Sequence, residues 1–160
     1  MCGIVGSINY DFSEPVALKY LEHRGPDDHA NYHHENIRLF HLRLSILDIG
    51  LGKQPMSLTD RYTIIYNGEI FNHKELREQF KLKGETSSDT ETLLLLYQKF
   101  GKDFLNLLDG MFAFAIYDKI KNQIFIARDR AGLKPFYYYS DNQKFVFASE
   151  LNALSQLLPL

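Results

Sequence analysis

Between residues 111 and 118 the chain reads Met-Phe-Ala-Phe-Ala-Ile-Tyr-Asp, and this stretch restricts the possible architectures more than any other. Side chains of a strand alternate between its faces, so Phe112, Phe114 and Ile116 point one way while Ala113, Ala115 and Tyr117 point the other. Both faces are apolar, which predicts a strand covered by a packed layer on each side. Further strands are expected at residues 2–9, 37–47, 62–66, 123–127, 134–139 and 144–149, with turns at 23–28, 119–122 and 141–142. Helices are expected at 15–21, after Asn72, across Leu93, Leu96, Tyr97 and Phe100, and at 103–108. Asn72 followed by Glu75 reads as a capping box, and Ser88 or Asp89 as the cap of the next helix. Asn67-Gly68, set between apolar stretches, is a strong hairpin-turn signal. Helices in the middle and strands at both ends give an α+β class, stacked sheets with helices outside. A doubly wound nucleotide fold fits poorly, because no Gly-rich phosphate loop joins a strand to a helix.

With 160 residues and 45% hydrophobic content, the chain is expected to form one domain, large enough to bury roughly 70% of its unfolded surface. Its single cysteine excludes an internal disulfide and points to a cytoplasmic location. The first residues lack a basic flank and a long apolar core, so no signal peptide is expected. The longest apolar run falls well below the ~18–20 residues of a membrane span. A formal charge of -2, with basic and acidic residues interspersed, gives no nucleic-acid footprint. The six histidines show no metal-ligand spacing, so no metal site is expected.

The one cysteine, Cys2, directly follows Met1. Removal of Met1 before so small a residue would leave a terminal cysteine carrying both a thiol and a free α-amine. An α-amine titrates near ~7.7–8.0 and a thiol near ~8.5, so the amine can accept the thiol proton at neutral pH. Nucleophile and base would then reside in one residue. Equally, Cys2 reads as a small apolar starter of the first strand.

Several short motifs stand in a fixed order: Met-Cys-Gly-Ile-Val-Gly at 1–6, His-Arg-Gly-Pro-Asp at 23–27, Arg-Leu-Ser-Ile-Leu-Asp at 43–48 and Asn-Gly-Glu-Ile-Phe-Asn at 67–72. Ser-Asp-Thr-Glu at 88–91, Gly-Met-Phe-Ala-Phe-Ala at 110–115, Arg-Asp-Arg-Ala-Gly-Leu-Lys-Pro at 128–135 and Ala-Ser-Glu-Leu at 148–151 continue the series. Together they resemble the glutaminase domain of class II glutamine amidotransferases, and Pro26-Asp27-Asp28 favours the asparagine synthetase branch. The resemblance spans nearly the whole chain. It implies an N-terminal-nucleophile hydrolase fold, a four-layer αββα sandwich of two antiparallel sheets. It also implies hydrolysis of glutamine to glutamate and ammonia.

On this resemblance Cys2 attacks the amide carbon, and the Asn67 side-chain amide and Gly68 N–H hold the oxyanion. Arg43 matches the family arginine that binds the substrate carboxylate, a role suited to a planar two-pronged donor. Asp89 matches the family aspartate for the substrate ammonium, with Glu69 near the same end. Backbone groups around Ile46 and Leu47 are expected to hold substrate too. Arg24 is expected as supporting architecture. Read by pattern alone, Asn67-Gly68 remains a turn, Arg43 a solvated strand residue and Asp89 a helix cap. The domain itself is expected to need no cofactor. Family relatives continue into a larger ATP-using synthetase domain, so residues 1–160 read as a truncated glutaminase half. ATP and Mg are expected only in that domain, or in a partner subunit that receives the ammonia. A homodimer is a further expectation, and the acceptor is not readable here.

Overall fold

A computed structural model describes residues 1–45 and 52–158. Its first sheet holds five strands in the order β2-β3-β1-β9-β8. These are β1 (Gly3–Ile8), β2 (Asp28–His34), β3 (Ile37–Arg43), β8 (Tyr137–Ser140) and β9 (Phe145–Ala148). The second has four, in the order β4-β5-β6-β7: β4 (Met56–Leu58), β5 (Tyr62–Ile70), β6 (Gly110–Asp118) and β7 (Gln123–Arg128). All pairings within both sheets are antiparallel. Helices α1 (Glu14–Leu21) and α4 (Leu151–Leu157) cover the first sheet. Helices α2 (His73–Phe80) and α3 (Asp89–Phe100), with a 3-10 helix at Gly101–Leu107, cover the second.

The two apolar faces of β6 account for this layering. Phe112, Phe114 and Ile116 pack outward on Leu93, Leu96 and Phe104. Ala113, Ala115 and Tyr117 pack inward with Ile4, Leu39, Ile65 and Phe147, which fills the space between the sheets. A third cluster sets Val5, Phe40 and Leu42 against Ala17, Leu21 and Leu154. Three apolar seams between four layers give the expected αββα sandwich.

Local expectations fail where side chains have other work. Asn67-Gly68 is no turn: β5 runs straight through it, with Asn67 paired to Ala113 and Gly68 to Phe112. The glycine is needed for packing, because a Cβ there would overlap the Met111 carbonyl and the Tyr66 ring. Asn72 makes no side-chain cap on α2. Its amide instead bridges to the segment before β6, donating to Leu107 O at 2.9 Å and accepting from Asp109 N at 3.0 Å. Strand β2 lies in a polar stretch with no apolar alternation and is recruited by full pairing with β3. Neither β4 nor α4 is signalled by the sequence pattern. The strand expected from residue 134 starts at Tyr137, because Asp129 first ties down Leu133 N and Lys134 N at 2.8 and 3.0 Å.

Candidate active site

Cys2 immediately precedes β1, and the β1–β3 register, Gly3 opposite Leu42, carries it alongside Arg43. Its Sγ accepts from Leu44 N at 3.4 Å. The 23–27 block braces this corner. Arg24, buried, donates from Nε to the Cys2 carbonyl at 3.1 Å and from Nη1 to Glu150 Oε1 at 3.0 Å. His23 Nε2 lies 2.9 Å from the same oxygen. Burial alone would raise the Glu150 carboxyl pKa; bonds from Arg24 and His23 outweigh it and lower the value. Gly25 lies so close to the Leu42–Arg43 backbone that no side chain fits. Asp27 closes the brace, its N–H donating to Arg43 O at 3.0 Å and its Oδ2 accepting from Ser45 N at 2.7 Å.

The opposite wall comes from β5. Beyond the short β4, side chains take over the outer edge of this strand. Tyr66 N–H donates to Gln54 Oε1 at 2.6 Å, and Ile70 N–H donates to Asp89 Oδ2 at 3.0 Å. Backbone direction alternates along an antiparallel strand. Gly68, midway between Tyr66 and Ile70, therefore aims its N–H to that same outer side, where it lines the cleft. The neighbouring Asn67 side chain is 1% exposed, and its Nδ2 has no hydrogen-bond partner among the described residues. An unpaired buried donor costs about 1–3 kcal/mol, which makes this amide a candidate donor to a ligand.

Asp89 sits at the first turn of α3 but does not cap it; Ser88 does, accepting from Glu91 N at 3.2 Å. Freed from capping, the Asp89 carboxylate also accepts from Tyr66 Oη at 2.8 Å. Burial and this neighbouring charge push the Tyr66 hydroxyl pKa well up, so it remains a donor. The loop before Ser88 is held by Glu91, which accepts from Glu85 N, Thr86 N and Arg77.

Cys2, Arg43, Asn67, Gly68, Glu69 and Asp89 thus converge on one cleft, also lined by Met1, Gln54 and Lys134. Ile46 and Leu47 lie outside the described residues. Sequence reasoning missed Gln54 and Lys134. Lys134 belongs to the 128–135 motif and is 7% exposed, a burial rare for lysine that pattern alone does not announce. The cleft sets the Arg43 guanidinium with the Glu69 and Asp89 carboxylates around a thiol and an unpaired amide donor, a layout for a small zwitterion with an amide or carbonyl. Burial pushes the Cys2 thiol pKa up, while the bond from Leu44 and the positive N-terminus, Arg43 and Arg24 oppose this. Burial is also the main effect lowering the Met1 ammonium pKa. With Met1 present, the Cys2 nitrogen is a peptide nitrogen and no base. Among the described residues, no group of three or more His, Cys, Asp or Glu is placed to hold a metal ion. No described helix is long and apolar enough to cross a membrane.

Comparison with known proteins bears on the family and the fold. The family model for the glutamine amidotransferase domain matches residues 1–159. A putative glutamine-hydrolysing asparagine synthetase 2 of Methanocaldococcus jannaschii is 44% identical, with 96% of this chain and 35% of the relative covered. Asparagine synthetase B of Escherichia coli is 41% identical over 96% of this chain and 30% of its own length. The chain therefore spans only part of the curated relatives it matches, from 22% to 35% of their length. Among solved structures, the glutamine phosphoribosylpyrophosphate amidotransferase of B. subtilis superposes with a TM-score of 0.76. At 22% identity, covering 96% of this chain and 43% of that one, the match bears on fold alone. A cleft built between two sheets around Cys2, the match along nearly the whole length and these identities have one reading: the chain belongs to the glutamine amidotransferase domain family.

Proposed function

We propose that this chain, once Met1 is removed, hydrolyses the side-chain amide of L-glutamine to glutamate and ammonia. The observation that carries the reading is that Asn67, whose buried amide nitrogen has no partner among the described residues, lines the same cleft as Cys2. The Cys2 thiol attacks the amide carbon and its proton passes to its own α-amine. The resulting oxyanion accepts from Asn67 Nδ2 and Gly68 N–H. Collapse of this intermediate breaks the C–N bond, and the proton held by the amine leaves with the nitrogen as ammonia. Water then attacks the thioester, with the α-amine as base, releasing glutamate and restoring the thiol. Arg43 takes the substrate carboxylate, and Asp89 with Glu69 the ammonium.

The relatives' names support an ammonia acceptor activated elsewhere. On that reading a synthetase domain or partner subunit uses ATP and Mg to activate a carboxylate, and this cytoplasmic glutaminase supplies its nitrogen; the assembly is a homodimer. The test is intact mass with labelling by a diazo-ketone analogue of glutamine, alongside glutamate release. Loss of Met1, one adduct on Cys2 protected by excess glutamine, and glutamate release are expected. Processed, folded protein that binds glutamine and releases no glutamate, even with its synthetase partner, would overturn the proposal. A second reading rests on Met1 lining the cleft. With Met1 in place the domain binds without turnover, as a docking or regulatory module.

A further inference from the structure

The two sheets meet close to the cleft through one side chain whose role in the site is not yet assigned. His41 lies on β3, is 0% exposed, and places Nε2 3.2 Å from the Tyr66 carbonyl oxygen on β5. A carbonyl only accepts, so the imidazole donates there and Nε2 carries the proton. The other ring nitrogen, Nδ1, has no hydrogen-bond partner among the described residues. Burial lowers the His41 pKa to about 4, with Arg43 acting in the same direction and the Tyr66 bond and Asp28 opposing. Near neutral pH the ring is uncharged, with its tautomer set by the Tyr66 bond. An apolar side chain would fill this seam with no buried nitrogen to satisfy, so among the described residues the histidine carries a cost that its Tyr66 bond must offset.

Its position indicates what that cost serves. On one side, His41 pairs with Ile4, two residues beyond Cys2. On the other, the Tyr66 carbonyl belongs to the peptide that leads into Asn67 and then Gly68. The surrounding seam of Ile4, Leu39, Ile65, Ala113 and Phe147 is apolar. Apolar contact is non-directional, whereas a hydrogen bond fixes both distance and angle. We propose that His41 is a positioning residue for amide hydrolysis: by tying β3 to the Tyr66–Asn67 peptide, it sets the separation between the Cys2 thiol and the Asn67 and Gly68 donors. The proposal rests on the reading of the cleft as a glutaminase site.

The test compares three variants in chain freed of Met1, with active sites counted by diazo-ketone labelling. Glutamine can place an amide N–H near the Nε2 position of histidine; asparagine is too short and leucine has no donor. We expect His41→Leu and His41→Asn to lower kcat per labelled site about 10–100-fold, the scale of a small misplacement of reacting groups, with KM within about threefold. His41→Gln restores most of kcat. If leucine does not fold, the glutamine and asparagine variants carry the comparison. Equal kcat in those two overturns the proposal, as does a loss that tracks only the folded fraction. A parent protein without glutaminase activity overturns this proposal together with the function, whereas an active parent whose kcat ignores residue 41 overturns the role of His41 alone.

Discussion

The two ends of the inter-sheet seam treat polar groups in opposite ways. At the end away from Cys2, hydroxyl and amide groups satisfy one another. Tyr117, fully buried, donates from its hydroxyl to Asn122 Oδ1 at 3.1 Å and so accepts from His34 Nδ1 at 2.9 Å. Asn122 continues to Asn36 at 3.5 Å, and Asn36 to Asn9 at 2.7 Å. At the cleft end, Asn67 Nδ2 and His41 Nδ1 are buried without partners among the described residues. The same sandwich thus closes one end with a completed network and, among the described residues, leaves a donor on Asn67 and an acceptor on His41 unspent at the other. Unpaired buried groups are expensive, so within this seam their placement at one end separates the part proposed to act from the part that holds; the other such atom among the described residues, His73 Nδ1, lies on α2 outside the seam.

The sharpest challenge to that division is Cys2→Ala, which should remove at least about 10⁴-fold of glutaminase activity while glutamine still raises the melting temperature. Residual turnover near the parent value in a steady-state assay would move the nucleophile elsewhere. Next, Asn67→Ala should lower kcat about 10²–10³-fold with little change in KM, as for loss of one oxyanion donor. A change confined to KM would reassign Asn67 to ground-state binding.

A third probe uses pH. The folded pKa of His41, about 4, lies below its ordinary 6.5. The unfolded chain therefore takes up that proton first, so the contribution is complete above 6.5 and is lost as pH falls toward 4. That difference corresponds to about 3 kcal/mol. Urea unfolding at pH 7 and pH 4.5 should show this fall, and His41→Gln should flatten it. Carboxyls with lowered values, such as Asp118 and Asp129, act in the same direction at lower pH, from their ordinary 3.8 downward. The smallest effect is expected at the far end: Tyr117→Phe should cost about 1 kcal/mol of unfolding free energy and leave kcat unchanged. A fall in kcat there would erase the contrast between the two ends.

The layering was legible because β6 carries its evidence in single residues: phenylalanines on one face, alanines on the other, with no exposed side. The site was legible as an ordered set of motifs, and Cys2, Arg43, Asn67, Gly68, Glu69 and Asp89 do share one cleft. Their local roles were less readable. Asn67-Gly68 carries the chemistry of a turn, yet the glycine answers to the Met111 carbonyl across the sheet. Asn72 has the sequence of a cap, but its amide is drawn to Leu107 and Asp109, 35 and 37 residues away. Gln54 and His41 replace a missing strand and bridge two sheets, respectively, and no window of neighbouring residues encodes such partnerships. Local pattern reports periodicity well. It cannot report which distant backbone group a polar side chain will find.

Arg24 grips Cys2 by its carbonyl oxygen and Leu44 grips it by its sulfur, at 3.1 and 3.4 Å, so neither hold passes through the bond to Met1. Met1 adds a peripheral contact, its sulfur 4.0 Å from Arg24 Nη2. Cutting the Met1–Cys2 bond therefore leaves the seat of the nucleophile intact. On the proposed function, exposing the α-amine then asks for no new anchor for Cys2, since both of its holds are already made.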